Sequence, residues 1–393
     1  MKRNFPKWCF FTVFYLSYAG LYLARTNMSV ASPALIEGGY LTEVQLGFIG
    51  SAFSVIYACS RFASGIVGDR LAPWLMITLG LLGTGVANLL IGALPPYGFI
   101  LVLWCINAFA QSMLWSSILR SMAGIYEKNV VAKKSSVLTS CISVGQILGI
   151  LLTPKIVSTL GVRAAFLVPG AFTVVMGLIA LYLLPSSPSG ERQKAKALPF
   201  KAFIKNKDIR GIILPTVFHG VLKENISLWM AVYFLAKFGL DIEHSVVYML
   251  FIPVVGMAAR LIYPVCYRLT GKRETLMSLV CFVLCAALCV LLGAGSSKAL
   301  SAALYLGLTF AFVSFINTSL NSTFPLRFAK DDMVSSVSGL LDLVTYIGAS
   351  VSSALYGFWV AEGKFSAMFI SWAVLCVISA LLLLAQKPMQ KQI

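Results

Sequence analysis

Charge is what this chain has least of. Only 11% of its 393 residues are Asp, Glu, Lys or Arg, against about 25% in ordinary soluble domains. A water-exposed globular surface is therefore excluded. Acids are the scarcer sign, with 14 Asp and Glu against 31 Lys and Arg, and histidine occurs only 2 times. No His, Cys, Asp and Glu cluster has metal-ligand spacing, and there is no phosphate-binding loop of the GxxxxGK type. The cysteines (Cys9, Cys59, Cys105, Cys141, Cys266, Cys281, Cys285, Cys289, Cys376) lack paired loop spacing and read as small buried hydrophobes. The expectation is a protein with no cofactor, no metal and no catalytic centre: not an enzyme.

What fills the space is apolar. Hydrophobic residues make up 59% of the chain, in runs of about 20, each long enough to cross about 30 Å of hydrocarbon as a helix. The runs predict twelve spans, near 8–34, 44–68, 73–94, 97–119, 136–158, 163–184, 211–236, 244–268, 275–294, 299–323, 335–359 and 366–386. The expected class is an all-α membrane protein of two six-helix halves, 1–185 and 211–393. They are joined by a Pro-, Ser- and Lys-rich linker over 186–210. Within that linker, Phe200 to Asn206 suits either a solvated strand of chain or a short amphipathic helix on anionic lipid. No cleavable signal is visible, because the first apolar run continues into Arg25. The net charge of +17 invites a nucleic-acid partner, but most of it falls in segments that an inside amino terminus puts in the cytoplasm. That asymmetry reports orientation, with both termini cytoplasmic, and no nucleic acid is implied.

Two short strings say the same thing in the two halves. LARTNMS (Leu23–Ser29) and LKENIS (Leu222–Ser227) align Arg25 with Lys223, Asn27 with Asn225 and Ser29 with Ser227. An ionised side chain at the centre of a spanning helix costs about 2.5–3.5 kcal/mol even on the lenient scale. Meeting that cost twice, at equivalent points, points to function. A second repeat matches FAQSMLWSSILR (Phe109–Arg120) with FINTSLNSTFPLR (Phe315–Arg327), placing Gln111 opposite Asn317. Internal repeats with a binding site near the midplane are a transporter pattern, and two cations imply an anionic substrate.

The string GIVGDR, with Gly65, Asp69 and Arg70, then resembles the loop signature of the major facilitator superfamily. In the second copy Tyr267 stands where the aspartate would be, while Arg268, Gly271, Lys272 and Arg273 survive. The resemblance implies a conformational latch at Gly65, Asp69 and Arg70, reaching the positive end of the helix that begins near Ser335. Within the superfamily the chain is most similar to the organophosphate:phosphate antiporters. Tyr22, Arg25, Asn27, Tyr57, Arg61, Trp104, Asn107, Gln111, Lys223 and Trp229 carry that similarity. It implies exchange of a small phosphorylated compound for phosphate or another anion, by a monomer in the bacterial inner membrane surrounded by lipid. A rival resemblance is to the anion:cation symporters, through RTNMSVASPAL from Arg25. Those usually have an aspartate where this chain has Ala24 and an acid in the fourth helix, where it has none. A lipid flippase is a further, weaker alternative.

Helical spacing gathers the candidates. Tyr18, Tyr22, Arg25 and Ser29 share one face of the first helix, and His219, Lys223 and Ser227 one face of the seventh. One cation among hydroxyls and rings suits a phosphate or carboxylate on a small polar body. Asn27 and Asn225 join by the repeat, Arg61 as a further cation. Gln111, Trp115, Ser143, Gln146, Asn317, Asn321 and Tyr346 are lining candidates, with Glu224 and Asp342 as charge-balancing or coupling acids. Arg25, Arg61 and Lys223 less Glu224 leave two net positive charges, matching the charge of about −1.5 to −2 on a phosphomonoester.

Overall fold

The computed structural model describes residues 5–68, 71–184, 206–295, 298–331 and 334–385. Among these residues the chain is all-α, without a strand. It divides into two compact units. Unit 1 is Met1–Gln193 with Leu240–Val246, and unit 2 is Lys194–Gly239 with Val247–Ile393.

Unit 1 contains α1 (Lys7–Glu37), α2 (Glu43–Gly68), α3 (Pro73–Ile91), α4 (Tyr97–Ser112), α5 (Leu114–Ile125), α6 (Lys128–Leu160) and α7 (Ala164–Leu183). The chain then runs through α8 (Lys207–Phe238), α9 (Ile242–Met249), α10 (Phe251–Leu269), α11 (Glu274–Gly293) and α12 (Ala299–Asn317). A π-helical stretch (Thr318–Thr323) and a 3₁₀ stretch (Phe324–Asp331) follow, before α13 (Val334–Ala361) and α14 (Phe365–Leu384). Most of the expected linker lies outside the described residues. Its end does not: Asn206 caps α8, its side-chain oxygen accepting from the N–H groups of Asp208 (2.9 Å) and Ile209 (3.2 Å). The helix therefore starts four residues before the apolar run, because a polar cap and not hydropathy sets its first turn. It closes on Gly239, whose φ of +63° favours glycine.

Among the described residues, nine helical spans are long and apolar enough to cross a bilayer. The long helices outside that set, α1, α2 and α8, carry Arg25, Arg61 and Lys223. Large apolar side chains stand exposed all around, Leu261 at 75% and Phe99 at 66% among them. Such a surface suits hydrocarbon and not water.

Three of the expected spans are interrupted. The span at 97–119 breaks at Met113 between α4 and α5, and continues to Ile125. The span at 244–268 breaks at Leu250. Pro253 has no N–H for the Met249 carbonyl and its ring crowds that carbonyl, so α9 ends there. The span at 299–323 becomes π-helical from Thr318. Pro325 leaves the Asn321 carbonyl without its helical donor, and the Ser338 hydroxyl supplies one across at 3.1 Å.

Within unit 1 the main pairings are α3 with α7, α1 with α6, α2 with α4, α3 with α4, and α1 with α7. Within unit 2 they are α11 with α14, α8 with α13, α10 with α12, α11 with α12, and α8 with α14. Position for position these are the same five pairs. Small residues let the backbones approach. A Cβ on Gly145 of α6 would meet the Ala19 carbonyl oxygen of α1 at 2.3 Å. In unit 2 a Cβ on Gly220 of α8 would meet the Thr345 carbonyl oxygen of α13 at 1.9 Å.

Candidate anion-binding faces in the two units

In unit 1 the stripe on α1 meets aromatic rings from α2 and α5. The Arg25 guanidinium carbon sits 4.6 Å from the centroid of Phe53, 5.1 Å from Tyr57 and 5.8 Å from Tyr22. Phe53 and Tyr57, one turn apart on α2, stack at 5.7 Å with 11° between their planes. Tyr18 packs on Tyr22 at 5.5 Å and on Trp115 at 5.0 Å. Arg61, one further turn along α2 from Tyr57, lies within electrostatic reach of Tyr18. Ring faces stabilise a cation by about 0.5–2 kcal/mol without neutralising it. Unit 1 thus holds a guanidinium among three aromatic rings.

Three candidates there serve the helices themselves. Asn27 is fully buried, and its amide donates to Asn88 on α3 (2.8 Å) and to the Ala165 carbonyl on α7 (3.0 Å). Asn88 in turn donates to the Ala24 carbonyl at 3.3 Å. The residue expected to touch substrate braces α1 against α3 and α7. The Ser29 hydroxyl donates to the Thr26 carbonyl at 3.0 Å, and the Ser29 carbonyl, deprived of a donor by Pro33, accepts from Ser32 at 2.7 Å. Gln111 donates to Asn107 at 3.0 Å, while its carbonyl oxygen and that of Gln146 are buried with no hydrogen-bond partner.

In unit 2 the α8 cation is handled differently. Lys223 Nζ lies 3.2 Å from Glu224 Oε1 and 5.4 Å from the ring centroid of Tyr346 on α13. One turn before Tyr346, Asp342 accepts from Asn321 Nδ2 at 3.3 Å, and Asn321 also donates to Thr345 at 3.1 Å. The Asn321 side-chain oxygen is buried without a partner. So are both ring nitrogens of His219, which is fully buried one turn before Lys223. Asn225 repeats the part of Asn27. It donates to Ser352 on α13 at 2.7 Å and accepts from Trp229 at 3.1 Å and Ser353 at 3.2 Å. Ser227 bonds back to the Lys223 carbonyl at 3.4 Å, and Asn317 sits half-buried at the end of α12.

Of the latch, Asp69 and Arg70 lie outside the described residues, and of Gly65 only its place in α2 is described. The degraded second copy has a built replacement. Tyr267 donates to Glu274 Oε1 at 2.8 Å, and Glu274, 5% exposed at the start of α11, pairs with Arg327. Tyrosine thus joins by donating to an acid, where an aspartate would accept. Phe53 was missed in the sequence; the spacing of four through Phe53, Tyr57 and Arg61 was the available signal. Asn88, alone on an apolar helix, gave none.

The profile of the Major Facilitator Superfamily matches residues 14–353. The chain belongs to this superfamily. It is accordingly an integral, multi-pass membrane protein with the all-α fold of that superfamily. A probable hexose phosphate transport protein of Chlamydia trachomatis is 29% identical over 191 residues, 48% of this chain and 42% of the relative. The membrane sensor protein UhpC of Salmonella typhimurium is 28% identical over 174 residues, 44% of this chain and 39% of the relative. The chain thus matches less than half the length of these relatives. A bacterial homolog of the human lysosomal transporter Spinster, solved inward-facing and unoccupied, superimposes with a TM-score of 0.80. That match covers 95% of each chain at 14% identity, a likeness of fold.

Proposed function

We propose that this superfamily member is a secondary transporter of a small organic phosphate, exchanged by alternating access for inorganic phosphate or another anion. The observation that carries the reading is Arg25 held among Tyr22, Phe53 and Tyr57, with Lys223 at the matched position of the second unit. Similarity to a hexose phosphate transport protein supports phosphate over carboxylate as the anion. A cation at membrane depth costs free energy in every state that strips water from it. A bound oxyanion offsets that cost, so the loaded carrier reorients and the empty one resists. Exchange is the consequence.

Symport is the poorer fit, because Ala24 stands where an acid is expected and Glu224 is engaged with Lys223. The proposal includes two six-helix halves, both termini in the cytoplasm, a bacterial inner membrane, and a monomer. The likeness to a membrane sensor protein favours a second reading, in which the same anion is bound and signalled. Reconstituted liposomes decide between the two. Labelled phosphate should enter phosphate-loaded vesicles much faster than unloaded ones, with little response to a pH gradient. Tight phosphate binding without uptake is the sensor's result, and uptake driven by a proton gradient alone is the symporter's.

A further inference from the structure

One end of unit 1 joins a cation to an apolar groove. The apolar runs of α1 and α6 begin there and that of α7 stops there, so this end lies at the membrane boundary. Tyr126, in the turn before α6, donates its hydroxyl to the Lys7 carbonyl at the start of α1. Lys134 of α6 places its ammonium 4.2 Å from the ring centroid of Phe11 and 5.0 Å from that of Tyr126. Ring faces position a cation without neutralising it. In sequence the starts of α1 and α6 are basic, with Lys7, Lys128, Lys133 and Lys134 against the exposed Glu127. Three residues before Phe11, Trp8 stands 66% exposed. Three before that, Phe5 meets the ring of Tyr182, near the end of α7, at 6.3 Å. An apolar groove of about 320 Å³ runs along α7 from there, lined by Val175, Leu178, Ile179, Tyr182 and Leu183. Its side chains carry one polar atom, the Tyr182 hydroxyl, so it suits hydrocarbon.

We propose that this end of unit 1 binds an anionic phospholipid, its phosphate held at Lys134 and one acyl chain laid along the α7 groove. Trp8, three residues from each of Phe5 and Phe11, stands at headgroup level, where an apolar ring with a polar edge is at home. The Phe5 and Phe11 contacts are six residues apart, about 9 Å of helical rise, a separation that a headgroup and its glycerol bridge. A basic pocket among spanning helices at the membrane surface suits such a headgroup. A soluble phosphate would use the ammonium and gain nothing from the groove or from Trp8. A zwitterionic lipid would fill the groove, but its own cation offsets its phosphate. Only an anionic lipid uses both parts. The site lies wholly within unit 1 and is independent of the transport reading.

The test uses the full chain in a mild detergent, with bound lipid counted by native mass spectrometry. The probes are dioleoyl phosphatidylglycerol, dioleoyl phosphatidylethanolamine and inorganic phosphate. Phosphatidylglycerol should bind about five-fold more tightly than phosphatidylethanolamine, the effect of one lysine near a headgroup. Lys134→Met, which keeps an apolar stem against the rings, should bring the two lipids to parity without lowering the lipid-free melting temperature. Leu178→Trp, which fills the groove, should weaken both lipids alike. Equal binding of the two lipids to the wild-type protein overturns the inference, and needs no variant to fold. So does a preference that survives Lys134→Met, or unchanged lipid binding in Leu178→Trp. Displacement of phosphatidylglycerol by inorganic phosphate would mark a site for a free anion and overturn it too.

Discussion

Units 1 and 2 use the same five helix pairings and brace them alike. Asn27 ties α1 to α3 and α7, and Asn225 ties α8 to α13. They part company two residues away. Unit 1 surrounds Arg25 with three rings and keeps Glu37 and Glu43 at the ends of α1 and α2, whereas unit 2 sets Glu224 against Lys223 and brings Asp342 onto the neighbouring helix. Rings hold a cation and leave its charge to act at a distance, while a carboxylate cancels most of it. Shared ancestry of packing therefore does not mean shared electrostatics. On the function proposed above, the stronger anion contact belongs to unit 1.

The largest effect should come from removing that cation. Arg25→Ala should weaken phosphate competition in the exchange assay by roughly 10- to 150-fold, the value of about 1.5–3 kcal/mol for a charge-assisted contact. Arg25→Lys should recover little, since a compact ammonium cannot present a two-pronged fork. Lys223→Ala should cost less binding than Arg25→Ala. If the two are equal, the asymmetry between the units is wrong.

Next in size is the packing that both units share. Gly220→Val should lower the melting temperature in detergent or abolish folded protein. Its side chain would collide with the Thr345 backbone, and overpacking costs about 1–3 kcal/mol even where neighbours can yield. Gly145→Val should do the same for α1 and α6. Loss in one unit and tolerance in the other would break the structural equivalence.

Lys223→Ala should also destabilise unit 2 by stranding Glu224, so that Lys223→Met with Glu224→Gln melts above the single variant. The opposite order would mean that the pair is not a charge balance. Losing one ring, as in Phe53→Leu, should reduce phosphate affinity about two- to five-fold. The smallest effect expected is from Tyr267→Phe. It removes one hydrogen bond to Glu274, worth about 1 kcal/mol of stability, and should leave phosphate exchange unchanged.

Much of this was legible in the chain. Apolar runs located the spans, because a helix crossing hydrocarbon has to be apolar along about 20 residues. The repeated strings located Arg25 and Lys223, because a charge stands out against such a background. The breaks at Leu250 and Thr318 were in reach through Pro253 and Pro325, and a hydropathy window smooths over both. The bracing bonds of the asparagines were not legible. Their alignment with each other signalled equivalence, which packing demands as strongly as binding does.

What the sequence determined by itself is therefore the all-α membrane class, the repeat and the two cations, since each is written in composition and spacing along one helix. What only the tertiary structure decided is what each polar group spends its bonds on. Asn27 meets Asn88 across 61 positions of sequence, Asn225 meets Ser352 across 127, and Asn321 meets Asp342 across 21. Local spacing fixes which face of a helix a side chain occupies. Which neighbour that face meets depends on how close glycines such as Gly145 and Gly220 let two backbones come, and that is a property of the packed pair.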